Sequence, residues 1–169
     1  MKKIAVFPGT FDPVTKGHLN IIKRASLLFD KLIVAVANSP SKNTFFTLDE
    51  RIALTKDSIL SLDNCEVIGF SGLLTNFLQE RNVDVLVRGI RNATDYNYEA
   101  QLFSMYKLYL PSLEIVFLQT EHELSFISST LIREIIIHGG SIDSKLVPNA
   151  VCQLLETKFS KNSKNIENN

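Results

Sequence analysis

Apolar residues recur along this chain in two alternating rhythms. Short continuous apolar runs give way to stretches where apolar residues return every three or four positions. Ile4 to Phe7 is a buried-strand run that stops at Pro8-Gly9. His18 to Phe29 keeps a helical period, with Leu19, Ile22, Ala25 and Phe29 on one face. Leu32 to Ala37 is a second strand run, closed by Asn38-Ser39-Pro40-Ser41. Thr47-Leu48-Asp49-Glu50 has the spacing of a capping box. The helix it opens places Leu48, Ile52, Thr55 and Ile59 together. Further strands are predicted over 66–70, 83–87 and 114–118, and further helices over 73–81, 94–110 and 129–138. Gly139-Gly140 suits a left-handed helix end, and Pro148 suits the first turn of a last helix reaching about Phe159.

Five strands, each followed by a helix, predict an α/β fold: a doubly wound five-stranded parallel sheet with helices on both faces. The unbroken apolar character of the strands fits a sheet covered on both sides. One domain is expected over residues 1–159. Residues 160–169 carry a single apolar side chain and are expected to form a disordered polar tail.

Composition narrows this picture. The chain has 169 residues, 45% of them apolar, and 18 Lys and Arg against 18 Asp and Glu. That length supports a core burying roughly 70% of the unfolded surface. Zero net charge speaks against a nucleic-acid partner or a polybasic membrane binder, but not against a local cationic pocket. Two cysteines and three scattered histidines make no zinc spacing, and no metal-ligating residues are expected. Two thiols without a disulfide framework fit a reducing compartment. The basic start is followed by only four apolar residues, too short for a signal-peptide core, so a cytoplasmic location is expected.

In doubly wound sheets ligands bind beyond the carboxyl ends of the strands. Those positions hold Gly9-Thr10-Phe11-Asp12, Lys42, Leu74, Arg88-Gly89-Ile90-Arg91 and the 119–130 stretch. Small residues, hydroxyls and cations suit a phosphate-rich ligand. The first junction lacks both the G-x-G-x-x-G and the P-loop patterns. It offers instead Thr15-x-Gly17-His18 at a helix start, where free N–H groups and a partial positive charge favour phosphate. His18 would project from the first turn beside that phosphate and donate to charge building in a transition state. An isolated histidine there would read as an ordinary polar residue. Its place after Gly-Thr-Phe-Asp favours chemistry.

Gly9-Thr10-Phe11-Asp12-Pro13 with Thr15-x-Gly17-His18 resembles the signature of the nucleotidyltransferase superfamily related to class I aminoacyl-tRNA synthetases. Ile127-Ser128-Ser129-Thr130-x-x-Arg133 resembles its second element. Ala37-x-Ser39-Pro40-Ser41-Lys42, Phe46-Thr47-Leu48-x-Glu50-Arg51, Val87 to Arg91 and Tyr98-Glu99 are similar to the bacterial-type phosphopantetheine adenylyltransferases. The resemblance runs from Met1 to about Leu155. It departs at Leu124, where the family often carries Trp, and at Asn97, where an acidic residue is common.

The resemblance implies a Rossmann-like nucleotidyltransferase fold and transfer of the adenylyl group of ATP to 4'-phosphopantetheine, with Mg2+ held mainly through nucleotide phosphates and water. It implies His18 and Thr10 as the catalytic pair, and Thr10, Lys42, Leu74 and Arg88 as acceptor contacts. For ATP it implies Thr10, Phe11, His18, Gly89, Ile90, Arg91 and Glu99. It adds the run Leu124, Ser125, Phe126, Ile127, Ser128, Ser129 and Thr130. A homohexamer is implied as well, with the 94–110 helix a plausible interface. Three other readings remain at this stage. They are a relative using another acceptor such as nicotinamide mononucleotide, a non-catalytic nucleotide-binding module, and a flavodoxin-like electron carrier.

Overall fold

The structure, a computed structural model, describes residues 3–38 and 43–163. The strands are β1 (Ile4–Gly9), β2 (Lys31–Asn38), β3 (Cys65–Ser71), β4 (Val85–Ile90) and β5 (Glu114–Gln119). The helices are α1 (Lys16–Ser26), α2 (Leu48–Ser58), α3 (Leu74–Glu80), α4 (Ala93–Tyr109), α5 (Ser129–Ile137) and α6 (Asn149–Ser163). All strand pairs are parallel, in the order β3-β2-β1-β4-β5. This is the expected doubly wound sheet, and its order reverses at β1.

Alternate strand residues feed two cores, as the two-residue strand period demands. Ala5, Phe7, Val34, Val36 and Val87 pack with α1, α2, α5 and α6. Val6, Ile33, Ala35 and Leu86 pack with Phe77 and Leu78 of α3 and with Tyr106 and Leu110 at the end of α4. The Thr47 capping box is present: Glu50 N–H donates to Thr47 Oγ1 and Thr47 N–H to the Glu50 carboxylate. The double glycine closes α5 in a Schellman turn. Gly139 takes φ +75°, its N–H donates to the Ile136 carbonyl, and the Gly140 N–H donates to Ile135.

Most boundaries fall within a few residues of the sequence reading, and three of the differences matter most. β1 runs through Pro8 to Gly9, because its partner β2 stays in register to Gly9–Val36. On the other side β1 pairs β4 only at Ala5 and Val6, so those two strands part beyond Val6. β4 starts two residues later than expected and continues through Arg88 to Ile90, held by β5. Arg88 therefore lies inside a strand and not after one. Finally, α6 continues through Ser163, four residues into the segment expected to be a tail. The remainder of that expected tail, 164–169, lies outside the described residues.

Candidate active site

The parting of β1 from β4 opens a cleft of about 860 Å³ at the carboxyl edge of the sheet. This is the switch point where doubly wound sheets bind ligands. Eleven of the anticipated site residues line it: Thr10, Phe11, His18, Arg88, Gly89, Arg91, Glu99, Ile127, Ser128, Ser129 and Thr130. Leu74, Ile90, Leu124, Ser125 and Phe126 are not on its wall. Leu74 opens α3 and packs into the core on the far face of the sheet. Lys42 lies outside the described residues.

His18 owes its position to a capping box with an unusual third member. Thr15 is the N-cap of α1, and its Oγ1 accepts from the His18 N–H. His18 stands where Glu or Gln usually reaches back. Its Nδ1 accepts from the Thr15 N–H at 3.0 Å. A neutral imidazole that accepts at Nδ1 carries its proton on Nε2, so the ring is a donor at its outer nitrogen. Burial and the nearby Arg91 charge push its pKa from an ordinary 6.5 down to about 4. The ring also meets Phe11 edge to face, with centroids 5.0 Å apart. Phe11 takes φ 49°, the left-handed region, to reach that place.

The β4 side supplies two arginines, both in ion pairs. Arg88 donates from Nε to Glu99 at 2.7 Å, from Nη2 to the second Glu99 oxygen, and from Nη1 to the Pro8 carbonyl at 3.1 Å. Three of its five N–H donors are thereby engaged, which leaves one on each terminal nitrogen for a ligand. Glu99 is the single buried residue of α4. Its carboxylate is spent on Arg88, where the resemblance assigned it to ATP. Arg91 pairs with Asp95 at 2.8 Å in a more exposed setting. Tyr96 packs edge to face on Phe117, while Tyr98 is exposed on the cleft wall.

The N-terminus of α5 forms the third side. Ser128 is its N-cap and accepts from the Leu131 N–H. Ser129 donates its hydroxyl to the Pro13 carbonyl at 2.8 Å. Thr130 Oγ1 accepts from Arg133 at 3.1 Å. The three hydroxyls thus hold protein groups. What α5 offers an anion are the N–H groups of its first turn, which lack intrahelical partners.

Three residues with large structural consequences were not among the anticipated site residues. Asp12 is 2% exposed and accepts from the Phe45 and Phe46 N–H groups. Arg51 is 1% exposed and donates to the carbonyls of Thr10, Ala37 and Phe46. Arg133 donates to the Asp12 carbonyl at 2.7 Å. The signal for the first two was a charged residue embedded in an apolar neighbourhood, Phe11-Asp12-Pro13-Val14 and Arg51-Ile52-Ala53-Leu54.

No helix among the described residues is long and apolar enough to cross a membrane. No group of three His, Cys, Asp or Glu among them could hold a metal ion. The thiols of Cys65 and Cys152 are free.

The chain matches the cytidylyltransferase-like family over residues 6–135. It is 48% identical over 158 residues to a phosphopantetheine adenylyltransferase of Tolumonas auensis, covering 94% of this chain and 96% of that protein. Two solved structures share the fold. A protein described as a candidate nicotinate-nucleotide adenylyltransferase from Vibrio parahaemolyticus superposes with a TM-score of 0.67 at 22% identity, over 92% of this chain and 99% of that one. A lipopolysaccharide core biosynthesis protein from Thermoplasma volcanium superposes with a TM-score of 0.56 at 23% identity, over 71% of this chain and 98% of that one. The extent and level of these matches place the sequence within one group: the chain belongs to the cytidylyltransferase-like family, among the phosphopantetheine adenylyltransferases.

Proposed function

We propose that this protein transfers the adenylyl group of ATP to 4'-phosphopantetheine, releasing dephospho-coenzyme A and pyrophosphate, the penultimate step of coenzyme A synthesis. The kinship at 48% identity supports the acceptor. One observation carries the reaction class: a neutral His18 donor faces a cleft whose other sides are Arg88, Arg91 and the first turn of α5.

The chemistry needs little more. An oxygen of the acceptor phosphate attacks the α-phosphorus of ATP, and the bond to the bridging α–β oxygen breaks. The nucleophile is already ionised near neutral pH, so no general base is required. Holding the two phosphates in line can contribute about 7–11 kcal/mol to the barrier reduction. His18 Nε2–H stabilises the α-phosphate as charge builds, an effect of about 10²–10³ in rate for a single oriented donor. Thr10 helps to place the nucleophile. Arg88, with Lys42, holds the acceptor phosphate, and the backbone at Leu74, where α3 begins, flanks the pantetheine arm. Arg91, the segment around Gly89 and Ile90, and the first turn of α5 hold the nucleotide, with residues 124–127 beside it.

Mg2+ accompanies the nucleotide in this reading, held by phosphate oxygens and water. The carboxylates of the cleft suit that arrangement. Asp12 holds two backbone N–H groups, Glu99 holds Arg88 and Asp95 holds Arg91, so none presents a free ligand set. We also propose a cytoplasmic homohexamer. The support for contact between copies is α4, which buries only Glu99 and leaves Tyr98, Met105, Leu108 and Tyr109 exposed; the number of copies and the location rest on the family resemblance.

The test is pyrophosphate release from ATP with a panel of acceptors, and mass identification of the product. Dephospho-coenzyme A formed from phosphopantetheine is expected. Turnover with nicotinamide mononucleotide and none with phosphopantetheine would sink the reading.

A further inference from the structure

Asp12 is a charged side chain in the floor of the cleft that the proposed chemistry does not use. It is 2% exposed, so its charge must be compensated locally. Its hydrogen bonds come from one segment, and the Arg133 guanidinium adds a nearby positive charge. Oδ2 accepts from the Phe45 N–H and Oδ1 from the Phe46 N–H, both at 2.9 Å. Two parallel hydrogen bonds to an ionised acceptor fix position and direction together. Asn43 and Thr44, immediately before them, line the cleft.

The same short loop is tied on its other side to α5. The Asp12 carbonyl accepts from Arg133 and the Pro13 carbonyl from Ser129. Arg133 Nη1 also lies 3.7 Å from Asp12 Oδ2. A single turn of chain therefore grips the segment before α2 with a side chain and the start of α5 through its carbonyls.

We propose that Asp12 is a positioning residue. It holds the 43–46 segment, and with it the acceptor side of the cleft, at a set distance from the α5 end that receives the nucleotide. This rests on the functional reading above. A uniform structural role would weaken both substrates alike. A positioning role predicts an asymmetric loss, because the nucleotide side keeps its own ties through Ser129, while the acceptor side loses its anchor.

Two measurements test it. Amide hydrogen exchange on the wild-type chain should show Phe45 and Phe46 protected, although both lie outside regular structure. Asp12→Asn keeps the shape but turns an NH2 group toward one of the two N–H donors. It should speed exchange at one or both amides about tenfold or more. In assays with ATP and 4'-phosphopantetheine it should raise the KM for phosphopantetheine about tenfold, with a much smaller change for ATP. Free-loop exchange at Phe45 and Phe46 in the wild type would overturn the proposal. So would equal rises in the two KM values, or a loss confined to kcat. If Asp12→Asn does not fold, wild-type exchange decides alone. If the wild-type chain does not use phosphopantetheine, the functional reading fails, and exchange still decides whether Asp12 holds the segment.

Discussion

The two walls of the cleft are built on different principles. On the side of β1, α1 and the start of α2, three ionisable groups are held mainly by backbone. His18 accepts from a backbone N–H, Asp12 from two, and Arg51 donates to three carbonyls. On the β4 and α4 side, charged side chains fix each other, as Arg88 with Glu99 and Arg91 with Asp95. Backbone ties hold with or without ligand. Side-chain ion pairs are partners that an incoming phosphate can compete for. The first wall is shaped before substrate arrives, and the second is charged and adjustable.

That difference can be broken at both walls, and the largest effect is expected at His18. His18→Ala removes the fixed donor from the first wall and should lower kcat about 10²–10³-fold. ATP binding should change far less, because the arginines and α5 remain. Turnover at the wild-type rate would remove His18 from the mechanism.

Stability offers the next contrast. Arg51→Met leaves the carbonyls of Thr10, Ala37 and Phe46 without their donor in a buried setting. A loss of about 3 kcal/mol or more is expected in the urea midpoint analysis. Arg91→Met removes a half-exposed pair and should cost about 1 kcal/mol or less. Equal losses would mean the two walls are not built differently.

Glu99→Gln sharpens the second wall. The amide retains one acceptor for Arg88 but loses the charge that sets the plane of the guanidinium. The KM for phosphopantetheine should rise about tenfold, the scale of a charge-assisted hydrogen bond, with a smaller change for ATP. A rise confined to ATP would return Glu99 to the nucleotide contact that the family resemblance implied.

How far the sequence reached follows the same division. The sheet was legible because its strands are apolar runs and helices such as α1 and α5 keep a clear apolar period. The cleft residues of the signature elements were legible because they follow strands. Strand ends were less so. Arg88 was read as lying beyond β4, since a charge normally ends an apolar run, but Phe117 on β5 keeps it in register. Tertiary partners were out of reach altogether. That Glu99 would meet Arg88, or Asp12 the amides of Phe45 and Phe46, depends on where separate elements pack. Ser128, Ser129 and Thr130 were correctly put at a helix start, but their hydroxyls cap and brace α5, which local spacing alone does not reveal.

The partial shift that Arg91→Met should cause in the His18 titration is the smallest effect and the cleanest probe of the first wall. The pKa of His18 is lowered to about 4, by burial first and by the Arg91 charge second. In the unfolded chain the same group should titrate near 6.5. Between those values the unfolded state binds more protons than the folded one. The His18 contribution to stability is therefore fully present above pH 6.5 and is lost as pH falls through that window toward 4. An NMR titration of the ring carbons should place its midpoint near 4, with Nε2 carrying the proton above it. Arg91→Met should move that midpoint upward, but only partly, because burial is the larger cause. A midpoint near 6.5 in the wild type would mean that the ring is solvated and that the first wall is not formed in advance. A full return to 6.5 in Arg91→Met would mean that the second wall, and not burial in the first, keeps His18 neutral.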